Sequence, residues 1–158
     1  MSTESRVEVE KMLTLLRRAY AGPSWHGPSV KEALAGITWE QAERRRENIH
    51  SILELVIHIA AWKHIVRQRL LGAPVQEITP EMDWPAPQGT GQVAWDAALA
   101  RLEQSQKDLL ETLAGLSDEH LKETLKKVPL TIQDLLHGLA QHDLYHTGQI
   151  ALLKKLQS

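Results

Sequence analysis

Four long stretches of the chain repeat apolar residues at helical spacing, and proline or glycine separates each stretch from the next. They run from about Thr3 to Ala21, Asn48 to Leu71, Gly91 to Leu116 and Thr131 to Leu156. Apolar residues three and four positions apart share one face of a helix, so each stretch predicts an amphipathic helix with a buried stripe. The only strand signal is a weak one in TLKKVPL, and the pattern therefore predicts an all-α fold.

The connector between the second and third long helices is the longest interruption of this pattern. Residues 73–89 contain Pro74, Pro80, Pro85 and Pro87, and proline in a helix interior removes a backbone donor and clashes with the preceding turn. Most connectors in compact domains have about 4–6 residues. Long connectors in helical bundles serve as crossovers that let consecutive helices run parallel. We therefore expect a four-helix bundle with one long crossover.

Short accessory helices are predicted between the long ones. Ser29 with Glu32, and Thr38 with Gln41, have the capping-box spacing that begins a helix. A further short turn is expected to begin at Ser117. These elements add length to the connections but no new layer to the bundle.

Composition and charge limit the class of protein. The 158 residues are 42% hydrophobic and 24% charged, with a net charge of −2, which predicts one globular domain over residues 1–158. The charge forms no basic stripe, so we expect no nucleic-acid partner. No apolar run reaches the roughly 18–20 residues of a membrane span, and the first residues lack the apolar core of a signal peptide. These features predict a cytoplasmic protein.

The last helix carries two histidines on its apolar stripe. If Ile132 is set at 0° and each residue turns about 100°, His142 and His146 fall at about 280° and 320°, and Asp143 at about 20°. All three lie within the stripe. A buried polar group without a partner costs about 1–3 kcal/mol, so this phase needs an explanation. Satisfied core histidines and metal ligands explain it equally well.

The second long helix supplies a third histidine. Its centre, LELVIHIAAW, is apolar around nearly the whole circumference, which is typical of a helix buried on several sides. His58 lies in the middle of it. The chain has no cysteine, so a metal site must use His, Asp or Glu. Three imidazoles from two helices are a set in which an ion keeps an open coordination position, and together they favour a metal site.

The chain resembles the DinB-like (YfiT-like) superfamily of metal-dependent proteins in three segments that occur in order over nearly the whole length. They are GPSWHGPSVKEAL, HSILELVIHIAAW and HDLYHTGQIALLKK, and the most specific element is H-x-x-x-H-x-G-Q-I. The resemblance implies up-down-down-up helix order and a divalent metal held by His58, His142 and His146. It also implies a homodimer and, as in some relatives, S-transferase or isomerase activity with bacillithiol or mycothiol.

These observations predict a metal-dependent enzyme that acts on a small molecule, as a hydrolase or as a low-molecular-weight-thiol S-transferase. Zn or Ni is the expected ion, and Fe or Mn also suits such a site. Asp143 and Glu54 are candidates for orienting the imidazoles or transferring protons, and Gln149 and Tyr145 for shaping the pocket rim. Two other hypotheses stay open: a non-catalytic metal- or ligand-binding stress protein, and a structural bundle with satisfied core histidines.

Overall fold

A computed structural model describes residues 6–158, which form eight helices. The long helices are α1 (Val7–Ala21), α4 (Ile52–Leu70), α6 (Gly91–Ala114) and α8 (Ile132–Lys155), and the short ones are α2 (Val30–Leu34), α3 (Trp39–Glu43), α5 (Pro80–Asp83) and α7 (Asp118–Lys122). No strand occurs between residues 6 and 158. The weak strand signal at 124–130 corresponds to one isolated bridge between Thr124 and Thr131. The all-α prediction is confirmed.

Side-chain caps fix the starts of the short helices where the sequence predicts them. Ser29 and Glu32 form a capping box at the start of α2, and Thr38 and Gln41 form one at the start of α3. Each box satisfies two backbone N–H groups that a helix start would otherwise leave without acceptors. The predicted start of the first helix at Thr3 lies outside the described residues.

Helix α4 begins at Ile52, four residues later than the predicted start at Asn48. Ser51 caps it: the Glu54 carboxylate accepts the Ser51 N–H at 2.7 Å, and the Ser51 hydroxyl accepts the Glu54 N–H at 3.2 Å. Asn48 itself has φ 59°, which no residue of a right-handed helix adopts. At the other end, Gly72 has φ 85° and ends the helix as its position predicts.

Hydrogen bonds between the long helices give their relative directions. Arg6 donates to the carbonyl of Ala114 at 2.7 Å, and Tyr20 donates to Glu103 at 2.7 Å, so α1 and α6 run antiparallel. Arg67 of α4 donates to Thr112 near the end of α6 at 3.0 Å. The earlier residues of these two helices also lie together, since Ile57, Ala94 and Ala98 line one small cavity. Helices α4 and α6 are therefore parallel.

Helices α4 and α8 run antiparallel. The early residue Leu55 lines a cavity with the late residue Leu153, whereas Val66 packs in one apolar cluster with Leu139. The order of the long helices is therefore up-down-down-up, as the resemblance implies. The crossover over residues 71–90 joins the parallel pair and contains only the short helix α5.

Helix α4 lies at the centre of the bundle. Thirteen of its nineteen residues are buried, and nine of these belong to two apolar clusters, one toward each end of the bundle. This burial confirms the expectation from its apolar circumference. His58 and Lys63 are the buried polar side chains of α4, and they belong to neither apolar cluster. No helix within residues 6–158 has the length and apolarity to cross a membrane.

Candidate metal centre

The antiparallel packing of α4 on α8 brings the three predicted histidines together. One ring nitrogen from each of His58, His142 and His146 lies within 4.8 Å of the others. The Nε2 atoms of His58 and His142 are 2.9 Å apart. His58 and His146 are buried, with 4% and 6% of their surface exposed. His142 and His146 share the apolar stripe of α8, and His58 lies on the central helix α4. These two placements bring the three rings together.

Two of the imidazoles are held by their outer nitrogens. His58 Nδ1 lies 2.6 Å from the backbone carbonyl of Asp83, and His146 Nδ1 lies 2.7 Å from the side-chain oxygen of Gln149. A carbonyl oxygen only accepts hydrogen bonds, so both Nδ1 atoms carry the proton. In the neutral rings, Nε2 therefore presents its lone pair to the cluster. This is the tautomer that ligating histidines adopt when the outer nitrogen donates to a carbonyl.

His142 is the imidazole without an outer partner. Its Nδ1 is buried and has no hydrogen-bond partner within residues 6–158. Without an ion, Nε2 of His142 must donate to the lone pair on Nε2 of His58, which leaves a lone pair on the buried Nδ1. If the proton moves to Nδ1, three lone pairs converge. The cluster is therefore unsatisfied by protein groups alone in either tautomer.

Burial and mutual repulsion keep these imidazoles neutral. Burial, together with repulsion from His146, His58 and Lys63, lowers the pKa of His142 to about 3. Burial is also the largest cause that lowers the pKa values of His58 and His146. A neutral imidazole is the form that binds a metal ion, and a protonated one cannot. The site is thus in its ligating state at neutral pH.

The cluster fits a divalent ion. Metal–nitrogen bonds of about 2.0–2.1 Å in tetrahedral geometry imply nitrogen separations of about 3.3 Å. The 2.9 Å separation of His58 and His142, and an upper limit of 4.8 Å for the set, bracket that value. Small side-chain rotations would bring all three atoms to it. Three neutral nitrogen ligands suit Zn, Ni, Cu or Fe(II) and leave coordination positions open.

The crossover segment contributes two orienting residues that the sequence reasoning missed. The Trp84 indole stacks between the rings of His50 and His58, with centroid distances of 3.6 and 3.8 Å. Asp83 supplies the carbonyl that accepts from His58, and its carboxylate accepts from Trp62 Nε1 at 2.7 Å. A proline-rich connector has no pattern that identifies such contacts.

The two carboxylates predicted to assist the site have other partners in the structure. Asp143 is fully buried and pairs through Oδ2 with the fully buried Lys63 at 2.5 Å. Glu54 caps α4 and lies 3.4 Å from Arg45 and 3.6 Å from His50. Between residues 6 and 158, no hydrogen bond joins either carboxylate to the three imidazoles. Gln149, predicted as a rim residue, is the side chain that orients one of them.

A cavity of about 530 Å³ opens beside the cluster. His146 is the ligand candidate that lines it, and the predicted rim residues Tyr145 and Gln149 do so as well. His50 also lines it. The remaining histidines are exposed, as predicted for three of them: they are His26, His64, His120 and His137. A small molecule in this cavity would lie against the three-histidine cluster.

Comparison with known proteins agrees with this geometry. A sequence model of the DinB superfamily matches residues 24–150, which include all three clustered histidines. No curated protein matches the chain. The family match spans 127 of the 158 residues. The chain therefore belongs to the DinB superfamily.

Proposed function

We propose that this protein is a metal-dependent enzyme acting on a small molecule, with a divalent ion held by His58, His142 and His146. The observation that carries the proposal is the convergence of three neutral imidazoles whose nitrogen atoms cannot all be satisfied by hydrogen bonds to protein groups. Membership of the DinB superfamily, a metal-binding superfamily, supports it. The adjoining cavity gives a small molecule access to the cluster.

The protein side chains have separate tasks in this proposal. His58, His142 and His146 bind the ion through Nε2. The Asp83 carbonyl and Gln149 hold the two outer protons, which fixes the ring orientations. Trp84 covers one face of His58 and excludes water from it. A divalent ion held there, with Zn or Ni expected and Fe or Mn also suitable, would act as a Lewis acid and lower the pKa of a water or thiol ligand.

Two reaction types follow from an open coordination position. A hydrolase would use water as the nucleophile, and an S-transferase would use a low-molecular-weight thiol. The S-transferase alternative is favoured by the resemblance to relatives that use such thiols. A thiol-dependent enzyme forms product only when the thiol is present, whereas a hydrolase turns over without it.

The open position can be tested by cobalt substitution. Co²⁺-loaded wild-type protein is titrated with azide and with 2-mercaptoethanol while the visible absorption spectrum is recorded. An open site predicts a saturable change of the spectrum at one equivalent of cobalt. His142→Ala should lose the cobalt spectrum, and the exposed control His137→Ala should keep it. Turnover of neutral aryl electrophiles with and without thiol then separates the two reaction types.

The opposite spectral result would favour a different function. Cobalt that binds tightly but whose spectrum responds to neither azide nor thiol is held in a closed site. Such a site is typical of structural or sequestering metals. That result would contradict the enzyme proposal and support the non-catalytic metal-binding alternative.

A further inference from the structure

Most of the side chains that line the cavity beside the cluster are apolar. Tyr145 and Leu152 belong to α8, Leu156 follows it, and Ile49 and Leu55 lie around the start of α4. Its volume of about 530 Å³ lies within the range of about 300–1,000 Å³ that small-molecule sites occupy. The cavity can therefore hold a small ligand against apolar surface.

None of the described residues that line this cavity is Asp, Glu, Lys or Arg. Basic side chains on neighbouring segments have protein partners. Arg46 donates to the carbonyl of Leu156 at 2.9 Å, Arg45 lies 3.4 Å from the Glu54 carboxylate, and Lys154 donates to the carbonyl of Ala35. A charged ligand body would therefore be desolvated without a counter-charge, which is strongly unfavourable.

Polar side chains also line the cavity: Asn48 and His50 precede α4, and His146 and Gln149 lie at the histidine cluster. The amide oxygen of Gln149 already accepts from His146. The Gln149 NH₂ group is left to donate to an acceptor on a ligand. One polar group on the ligand would thus lie beside the three histidines, while the rest of the molecule contacts leucine and tyrosine.

We propose that the cavity binds an uncharged small molecule with an apolar body, aryl or branched aliphatic, and a single polar group directed at His146 and Gln149. As the substrate class of the enzyme, this inference rests on the proposed function. As a binding site, it is independent of the metal, because His58 and His142 do not line the cavity. In the metal-free protein, anionic and cationic molecules with the same body should bind more weakly, because no Asp, Glu, Lys or Arg lines the cavity.

Three probes with one body and different charges test the inference. Binding of 4-phenyl-1-butanol, 4-phenylbutyrate and 4-phenylbutylamine is measured by calorimetry on wild type and on His142→Ala. The variant matters because a carboxylate or amine can bind a metal ion directly. In His142→Ala the alcohol is expected to bind at least about tenfold more tightly than either charged probe. Equal affinities, or no binding of the alcohol, would overturn the proposal.

A charge placed in the lining sharpens the test. Leu152 is 59% exposed, so Leu152→Lys should fold normally, and Leu156→Lys, at 52%, is a second such variant. Either should weaken alcohol binding at least about tenfold and shift the preference toward 4-phenylbutyrate. The control Val93→Lys changes a more exposed apolar residue, 77% exposed, that does not line the cavity, and it should have no effect.

The outcomes separate this inference from the proposed function. A wild type that binds no metal but prefers the alcohol retains the cavity inference and loses the enzyme. If wild type binds metal but His142→Ala shows no preference among the probes, the enzyme proposal is retained and the cavity inference is lost. If wild type is a dimer that excludes the alcohol and Leu152→Lys is a monomer, the apolar face is an interface between two copies, and the ligand proposal is wrong.

Discussion

Helices α4 and α8 meet at two buried polar clusters, five residues apart along α4. In one, the fully buried Lys63 and Asp143 lie 2.5 Å apart and balance each other's charge. In the other, His58, His142 and His146 turn nitrogen atoms toward one another with no charge and too few protons. The fold itself explains the pairing in the first cluster, because Asp143 Oδ2 accepts from Lys63, although Asp143 Oδ1 has no hydrogen-bond partner within residues 6–158. It does not explain the second, and this difference indicates which cluster serves a ligand.

The ion pair should be the cluster whose loss costs the most stability. Lys63→Met leaves the Asp143 carboxylate buried without its partner, and we expect the free energy of unfolding to fall by about 3–5 kcal/mol. Urea denaturation of the metal-free protein at neutral pH measures it. The exposed control Lys107→Met should change the value by less than about 0.5 kcal/mol.

The double variant Lys63→Met with Asp143→Leu then tests whether the pair is purely structural. Replacing a buried pair by apolar residues of similar volume is often neutral or stabilising. We expect most of the lost stability to return, with metal binding unchanged. A cost below about 1 kcal/mol for the single variant would show that the pair does not distinguish the two clusters.

A divalent metal ion should stabilise the folded protein through the histidine cluster and not through the ion pair. Zn²⁺ at 100 times its dissociation constant is expected to raise the free energy of unfolding by about 2.7 kcal/mol, because it binds the folded state. The gain should vanish in His142→Ala and persist in the Lys63/Asp143 double variant. Thermal or urea unfolding with and without a chelator measures it. Equal stabilisation of wild type and His142→Ala would place the ion elsewhere.

The hydrogen bond from His146 to Gln149 should matter for metal affinity more than for folding. Gln149→Leu removes the acceptor that holds the His146 ring, and we expect metal affinity to fall about 10–100-fold. Gln149→Glu keeps an acceptor and should retain the affinity. Competition with a chromophoric chelator measures both. A Leu variant with wild-type affinity would show that the ring orientation is fixed by packing instead.

The smallest expected effect is on the pH dependence of the metal-free protein. Burial lowers the histidine pKa values in the folded state, so below the unfolded pKa of about 6.5 the unfolded chain binds more protons. Stability is therefore full above that pH and falls as the pH decreases toward the folded values. Between pH 7.5 and 5.5 each neutral imidazole should account for about 1 kcal/mol of that loss.

His142→Leu isolates one imidazole in that measurement. The variant should lose about 1 kcal/mol less than wild type over the same pH interval in urea denaturation. Identical pH dependence in the two proteins would mean that the pKa of His142 is the same in the folded and the unfolded chain, which would contradict the lowering of that pKa by burial in the cluster.

Periodicity and spacing were sufficient to predict the helices and the convergence of the three histidines. The phase of His142 and His146 depends only on residues of one helix, and the apolar circumference around His58 placed it at the centre of the bundle. The start of α4 was also predictable, since Ser51 and Glu54 have the same capping-box spacing as Ser29 and Glu32. The predicted start at Asn48 did not take that spacing into account.

The partners of the site could not be predicted, because they depend on tertiary contacts. The carbonyl of Asp83 has no sequence signature, and Trp84 reaches His58 only because the crossover folds back on α4. Lys63 ends an apolar run in which a lysine would be expected at the surface. Its burial depends on Asp143 of another helix, and that pairing also removes Asp143 from direct contact with the imidazoles.

Metal content is the most direct test of the contrast between the two clusters. Untagged wild type, His142→Ala and the exposed control His137→Ala are incubated with Zn²⁺ or Ni²⁺, dialysed and measured by inductively coupled plasma mass spectrometry. We expect about one ion per chain in wild type and in His137→Ala, and none in His142→Ala. Absence of metal from wild type, or an equal amount in His142→Ala, would show that the three histidines are a polar part of the core and not a metal site.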